Sequence, residues 1–427
     1  MSVEQEPVHV VIVGGGFGGL EAAKSLKDLP VRVTLIDARN HHLFQPLLYQ
    51  VAMAGLSPAD IAIPIRSVLR NLPRVQTLMG TVTDFNLTTK QVILHDGARL
   101  HYDYLIVAAG ARTNFFGNDG WQDHAFGLKT VEDAIAIRRQ VLLRFEEAER
   151  IADEEKRRNR LTFIVIGGGP TGVEVAGAMA ELGRRVLADD YRNVPEDMTR
   201  VVLIEAGPRI LNGFHEDLSA SATESLEQLG VEVRTDCRVQ DIDEKGVVLQ
   251  EGRLDAGAVV WSAGVEAVPL SKQLGAERDR AGRVLVRQDC SIEGHAEVFV
   301  IGDMARFNDA NGEPLPGVSP VAMQQARFVA KMIGRRMAHL GTERFEYFDK
   351  GMMATIGRSR AVAQSKGLRM TGFTAWLAWL FIHLFYLVGF KNRVFVFLSW
   401  IWNYVAYRRG ARLITGEVKP EARPPIG

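Results

Sequence analysis

Cysteine is nearly absent from this chain of 427 residues: Cys237 and Cys290 are its only two, far apart and without a neighbouring cysteine or histidine cluster. That excludes a disulfide framework and a Cys-x-x-Cys relay, and no metal site is readable. Net charge is also missing, with 51 lysines and arginines against 51 aspartates and glutamates. No global field therefore draws the chain to nucleic acid, and no nucleic-acid module is recognisable in it. No basic n-region followed by an apolar h-region precedes the first strand at Val8, so no secretory signal is expected and the nucleotide-binding part should face the cytoplasm. No apolar run reaches the roughly 20 residues that span a bilayer. The length predicts two or three domains.

Glycine is placed where it carries information. Gly14-x-Gly16-x-x-Gly19 follows the β-branched strand Val8–Val13, and Gly167-x-Gly169-x-x-Gly172 follows a second such run from Leu161. In each, the first glycine makes the strand-to-helix turn, the second lets a pyrophosphate approach the backbone, and the third lets helix and strand pack closely. The anion then rests on a helix N-terminus. Helical stretches follow both, 20–26 and 173–177, so two dinucleotides are expected.

Asp37 ends the strand 31–36, about 18 residues past Gly19, a spacing that suits a carboxylate accepting from an adenosine ribose. Glu205 ends the strand 201–204, about 33 residues past Gly172, so 183–200 is expected to insert an excursion. An acid there favours NADH over NADPH, while the nearby Arg209 leaves NADPH open. Glu174 is read in the first turn of the second fingerprint helix, where the helix dipole favours a carboxylate.

Between the fingerprints runs a polar and aromatic loop, Asn40 to Tyr49, which includes Gln45 and suits a flat ring system. Strands are predicted at 75–83, 92–95 and Tyr104–Val107, the last leading into Ala108-Ala109-Gly110-Ala111. A charged, solvated helix is predicted over 131–159. Further strands lead to Ala258–Trp261 and the similar turn Ser262-Ala263-Gly264-Val265, and 298–301 leads into Gly302-Asp303. The recurrence predicts two Rossmann-like α/β domains, one inserted in the other, by internal duplication. A flavin and a nicotinamide are the chemically sensible pair.

Asp103 to Gly110 and Val298 to Asp303 resemble the two flavin signatures of the two-dinucleotide-binding flavoprotein superfamily. The resemblance implies FAD, with the Asp303 position touching its ribityl chain. Lack of a cysteine pair excludes the disulfide-reductase mode and counts against sulfide:quinone reductases. Near the C-terminus, Trp376 to Phe390 is apolar and aromatic, Lys391-Asn392-Arg393 interrupts, and Val394 to Tyr407 runs to Arg408, Arg409 and Arg412. Aromatics beside arginines suit helices lying in a membrane interface.

The stretches Asn40 to Ala52, Gly167 to Glu174, Ser319 to Ala326, Met353 to Arg358 and Gly389 to Arg393 together make the whole chain resemble type II NADH dehydrogenases, which are non-proton-pumping NADH:quinone oxidoreductases. By that resemblance Gln324 and Gln325 match a quinone motif, from which Ser319 and Pro320 depart, and Glu174 has a role near flavin and quinone. Lys391 is expected near the quinone mouth or facing lipid headgroups. The expected reaction passes electrons from NADH, held by Gly167, Gly169, Gly172, Glu205, Ala263 and Gly264, to FAD, held by Gly14, Gly16, Gly19, Asp37, Gln45, Ala109, Gly110, Gly302 and Asp303. A respiratory quinone, ubiquinone or menaquinone, then accepts them. The expected division is 1–115 and 281–345 for FAD, 116–280 for NADH and 346–427 for membrane lipid, in a homodimer on the cytoplasmic face of the inner membrane. Two other readings stand beside it: a soluble ferredoxin- or rubredoxin-type reductase, and a non-catalytic flavin-binding membrane signalling protein.

Overall fold

Strand Val8–Val13 is apolar over most of its length because both its faces are covered, Val10, Val11 and Ile12 being wholly buried. It lies inside a six-stranded sheet in the order Ser291–Ile292, His295–Val300, Tyr104–Val107, Val8–Val13, Val31–Asp37, Val75–Met79, parallel except for the first pair. The structure is a computed structural model that describes residues 7–187, 190–406 and 411–415. The chain forms two units, one from residues up to Leu43 with Ala62–Arg112 and Val265–Asp349, the other from Phe44–Ile61, Thr113–Gly264 and Lys350 onward.

In the first unit helices Phe17–Ser25 and Ser319–Met337 pack together. The run expected as one strand over 75–83 divides at Gly80: Val75–Met79 edges the parallel sheet, and Val82–Asn86 opens a separate antiparallel sheet with Gln91–Leu94 and Arg99–His101.

The second unit repeats the plan with five parallel strands, Ala125–Phe126, Ala258–Trp261, Thr162–Ile166, Arg200–Ile204 and Val231–Arg234. The helix expected over 131–159 is two helices, Val131–Glu149 and Glu154–Arg160. Thr130 and Asp133 form a reciprocal capping box at the start of the first, and Asp153 starts the second by accepting from Lys156 N at 2.9 Å. Helix Pro170–Glu181 runs on into a wider π turn, Leu182–Leu187, which begins the excursion before Arg200.

The same unit ends in an antiparallel sheet, Met352–Thr355, Ala361–Ser365 and Leu368–Thr371, followed by helices Gly372–Tyr386 and Phe390–Ala406. Lys391-Asn392-Arg393, the interruption between the two apolar runs, lies in the first turn of the second helix. Among the described residues no helix is long and apolar enough to cross a membrane. Tyr407, Arg408 and Arg409 lie outside the described residues.

Candidate active site

In the first unit the fingerprint turn forms where three strands end. Gly14 N donates to Ile36 O at 2.8 Å, and Gly14 has φ +102°. A β-carbon there would collide with Ala108 O, and one on Gly19 would collide with Gly14 O. Gly16 differs, because a β-carbon on it would meet nothing within 4 Å. The protein therefore requires glycine at 14 and 19, while glycine at 16 keeps clear a space outside the protein, as a cradle for a pyrophosphate would.

Asp37 Oδ2 accepts from Gly15 N and Oδ1 from Arg39 N, each at 2.6 Å. These bonds leave lone pairs that can take ribose hydroxyls. Gly110 has φ +79° and open space at its β-carbon, next to Ala109. Gly302, at φ +66°, donates its N–H to Gln325 Oε1 at 2.8 Å. The half-buried Asp303 carboxylate has no hydrogen-bond partner among the described residues, so it is free to accept.

The second unit has an equivalent turn. Gly167 N donates to Ile204 O at 2.8 Å with φ +105°, and a β-carbon on Gly167 would lie 2.6 Å from Ala263 Cα. Gly172 packs on Gly167 O, and Gly169, like Gly16, has nothing within 4 Å. Glu205 accepts from Gly168 N at 2.6 Å and Gly207 N at 2.7 Å, the counterpart of Asp37. The long sequence gap before Glu205 therefore does not displace it from the strand end. Ser262 Oγ donates to the carbonyls of Ile166 and Gly167, and the Phe116 ring lies against Gly264, where a β-carbon would come within 2.6 Å of Cζ.

Glu174 is not in the first helical turn, which holds no acid, and the dipole account of it fails. It is the fifth residue of its helix and points into the interior. Burial pushes its carboxyl up to about 8, opposed weakly by a long 3.5 Å contact from Thr355 N and by the indole of Trp379. The buried Trp379 N–H itself finds no acceptor in hydrogen-bond geometry among the described residues. Trp379 is wholly buried and stacks on His383 at 4.1 Å, with Tyr49 and Trp400 around it. His383 Nδ1 bonds to Trp379 O at 2.7 Å, and burial lowers its pKa to about 4. At neutral pH this interior thus holds a protonated carboxyl and a neutral imidazole.

Comparison with known proteins agrees with this geometry. The pyridine nucleotide-disulphide oxidoreductase family model matches residues 8–326, and the NDH2 C-terminal domain model matches 350–409. The chain is 43% identical to the type II NADH:quinone oxidoreductase Ndh of Mycobacterium tuberculosis, over 98% of this chain and 94% of that protein. The chain belongs to the type II NADH:quinone oxidoreductases. A Staphylococcus haemolyticus member is 33% identical over 86% of this chain and 92% of its own. In fold the chain is similar to NDH2 from Plasmodium falciparum in complex with NADH, with a TM-score of 0.88 and 21% identity over 96% of this chain and all of that one.

Several residues of this type II NADH:quinone oxidoreductase are engaged in ways the sequence did not announce. Gln325 is buried, and its amide oxygen holds the Gly302 turn while its Nε2 has no partner among the described residues. Gln324 pairs with the backbone of Phe348 through both ends of its amide, each bond 3.0 Å long. Gln45 belongs to the second unit, where its amide donates to Lys129 O at 3.3 Å. Arg209 donates to the carbonyls of Phe214 and Asn212. Lys391 is exposed, over the Phe395 ring, and Arg412 pairs with Asp190.

His42 was not singled out from the sequence. Its Nδ1 bonds to Gly15 O at 3.0 Å, burial lowers its pKa to about 4, and its buried Nε2 has no partner among the described residues. Its neutral ring donates through Nδ1, leaving Nε2 as an acceptor beside the first fingerprint. The pattern around Gly15 gives no local signal of this, because the contact spans 27 residues.

Proposed function

We propose that this chain oxidises NADH and reduces a respiratory quinone by two electrons without pumping protons. The observation that carries this reading is membership of the type II NADH:quinone oxidoreductases over 98% of the chain, together with two cradles whose middle glycines face open space. FAD is assigned to Gly14, Gly16, Gly19, Asp37, Ala109, Gly110, Gly302 and Asp303, with Gln45 as a further candidate, and NADH to Gly167, Gly169, Gly172, Glu205, Ala263 and Gly264. Bound FAD supplies the two-electron carrier between nicotinamide and quinone.

The chain's own part is positioning and proton supply. Gln325 holds the Gly302 turn and offers a free amide N–H, and Gln324, whose Nε2 keeps a second N–H beyond its bond to Phe348 O, completes the pair proposed to bind a quinone carbonyl. Glu174, carrying its proton at neutral pH, is proposed to have a proton-transfer role in the reaction. Residues 1–115 and 281–345 are assigned to FAD, 116–280 to NADH and 346–427 to the membrane.

Attachment rests on exposed Phe381, Phe385, Phe395, Phe397, Leu398 and Trp402 along the two C-terminal helices, which suit the acyl boundary of a bilayer. The protein is placed as a homodimer on the cytoplasmic face of the inner membrane, with ubiquinone or menaquinone as its acceptor. The test is anaerobic absorption spectroscopy of the purified protein with NADH and then a short-chain quinone. Flavin bleaching by NADH and recovery on quinone are expected. A flavin that NADH bleaches but only a small iron–sulfur protein reoxidises would overturn the assignment.

A further inference from the structure

Within the first unit, an open cleft of about 840 Å³ lies away from the fingerprint turn. It is bounded by the N-terminal ends of strands that begin at Val8, Val31 and Val75 and by helix Ile65–Leu69, whereas Gly14 and Asp37 mark the opposite, C-terminal ends. Six residues of strand separate the two, about 20 Å at roughly 3.3 Å per residue. The cleft is thus a second feature of the unit and not an extension of the dinucleotide cradle.

Arg32, Arg66, Arg70 and Arg74 all line it, and among the described residues no aspartate or glutamate does. In a chain with equal numbers of acids and bases, that is a pronounced local excess. Arg32, Arg66 and Arg70 have no ion pair or hydrogen bond among the described residues, and Arg74 reaches only the Leu29 carbonyl, at 3.2 Å. Arg66 lies on the short helix Ile65–Leu69, Arg70 caps its C-terminal end and Arg74 lies in the turn before strand Val75–Met79. Several other exposed arginines, such as Arg253 with Asp243 and Arg287 with Glu293, have acidic partners. The four cleft arginines have no acidic partner among the described residues.

The cleft's frame is stiff. Pro7, Pro30 and Pro73 form part of its lining, with fixed φ and no N–H. Buried Val31 and Leu69 give it an apolar floor. Strand Val75–Met79 is the edge of its sheet, so its outer backbone row has no strand partner. Guanidinium groups match phosphate oxygens in paired hydrogen bonds, and a rim that is already formed lowers the ordering cost of binding.

We propose that this cleft binds a phosphate-bearing anion, with Arg32, Arg66, Arg70 and Arg74 taking the phosphate oxygens. The site stands independently of the quinone reading. Its phosphate belongs either to a free metabolite or to a lipid headgroup, and the two sources are separable by experiment.

The experiment uses the FAD-loaded full chain saturated with NAD+, so that both dinucleotide cradles are filled. Inorganic tripolyphosphate is titrated by calorimetry at low and high salt, and in a second arm the protein is floated with phosphatidylcholine vesicles with or without phosphatidic acid. The variants are Arg66→Ala with Arg70→Ala, and separately Arg70→Glu. We expect wild-type binding of tripolyphosphate that weakens with salt, falls at least tenfold in both variants, and leaves flavin content and NADH oxidation unchanged. If instead only phosphatidic-acid vesicles bind in an Arg66- and Arg70-dependent way, the site stands and its phosphate is a lipid's. No binding in either arm, or binding unchanged in the variants, overturns the proposal.

Discussion

At Gly16 and Gly14 the same substitution has opposite consequences. Alanine at Gly16 meets no protein atom, so Gly16→Ala is expected to keep the melting temperature of the flavin-free protein while lowering its flavin content. Alanine at Gly14 must take φ +102° and collides with Ala108 O, so Gly14→Ala is expected to cost on the order of 2 kcal/mol or more before any cofactor is considered. Thermal unfolding of the flavin-free proteins and the ratio of flavin to protein absorbance separate the two effects. Glu174 makes a different prediction. Its folded carboxyl titrates near 8 against an ordinary value of 4.5, so the folded state keeps a proton that the unfolded chain sheds. Stability therefore falls as pH rises from 4.5 to 8, and Glu174→Gln is expected to flatten that part of a urea-midpoint profile. If Glu174 also supplies a proton to quinone, the same variant slows turnover on the order of 10²-fold and removes the upper limb of the pH–rate profile.

The C-terminal helices carry two different faces. Ala375 and Trp379 are wholly buried in the second unit, while Phe381, Phe385, Phe397 and Leu398 are exposed. Removing everything from Gly372 onward would therefore strip a core as well as a surface. Replacing Phe381 and Phe385 with serine is the cleaner probe: release from vesicles in a flotation assay is expected with little change in melting temperature. Retention of that variant on vesicles would remove the exposed face of the first helix as the attachment. Elements with a local code were legible in advance. The fingerprint turns, and Asp37 and Glu205 at their strand ends, follow from glycine spacing and strand alternation within one βαβ unit. The burial of Glu174 was not legible, because Trp379, which covers it, lies about 200 residues away. The same holds for Gln325, whose partner Gly302 is 23 residues distant, and for the break in the 131–159 helix, where Asp153 competes with the helix interior as a cap. Glu205 shows how such engagement limits redesign. It holds the N–H groups of Gly168 and Gly207, so Glu205→Ala is expected to weaken NADH binding more than it admits NADPH, as NADH and NADPH titrations would reveal.

Across the whole molecule, each unit is assembled from three separate stretches of chain, and the first unit suffers most from this. Its central strand Tyr104–Val107 has Val8–Val13 on one side from early on, but its other neighbour, His295–Val300, comes some 190 residues later. The stretch Thr113–Gly264 between them holds all five strands of the second unit's parallel sheet. On a ribosome adding about 5–20 residues per second, the open side of Tyr104–Val107 waits on the order of 10–40 s for its partner. The inner stretch can form its own sheet during that wait. Nascent chains arrested after residue 264 should therefore resist protease over the inner stretch and not over the outer one, and chains arrested beyond Met337 should resist over both. The order of synthesis would then make the second unit's parallel sheet the earlier one to mature, with the first unit's sheet closing around an edge that must be guarded against other nascent strands until its last partner is translated.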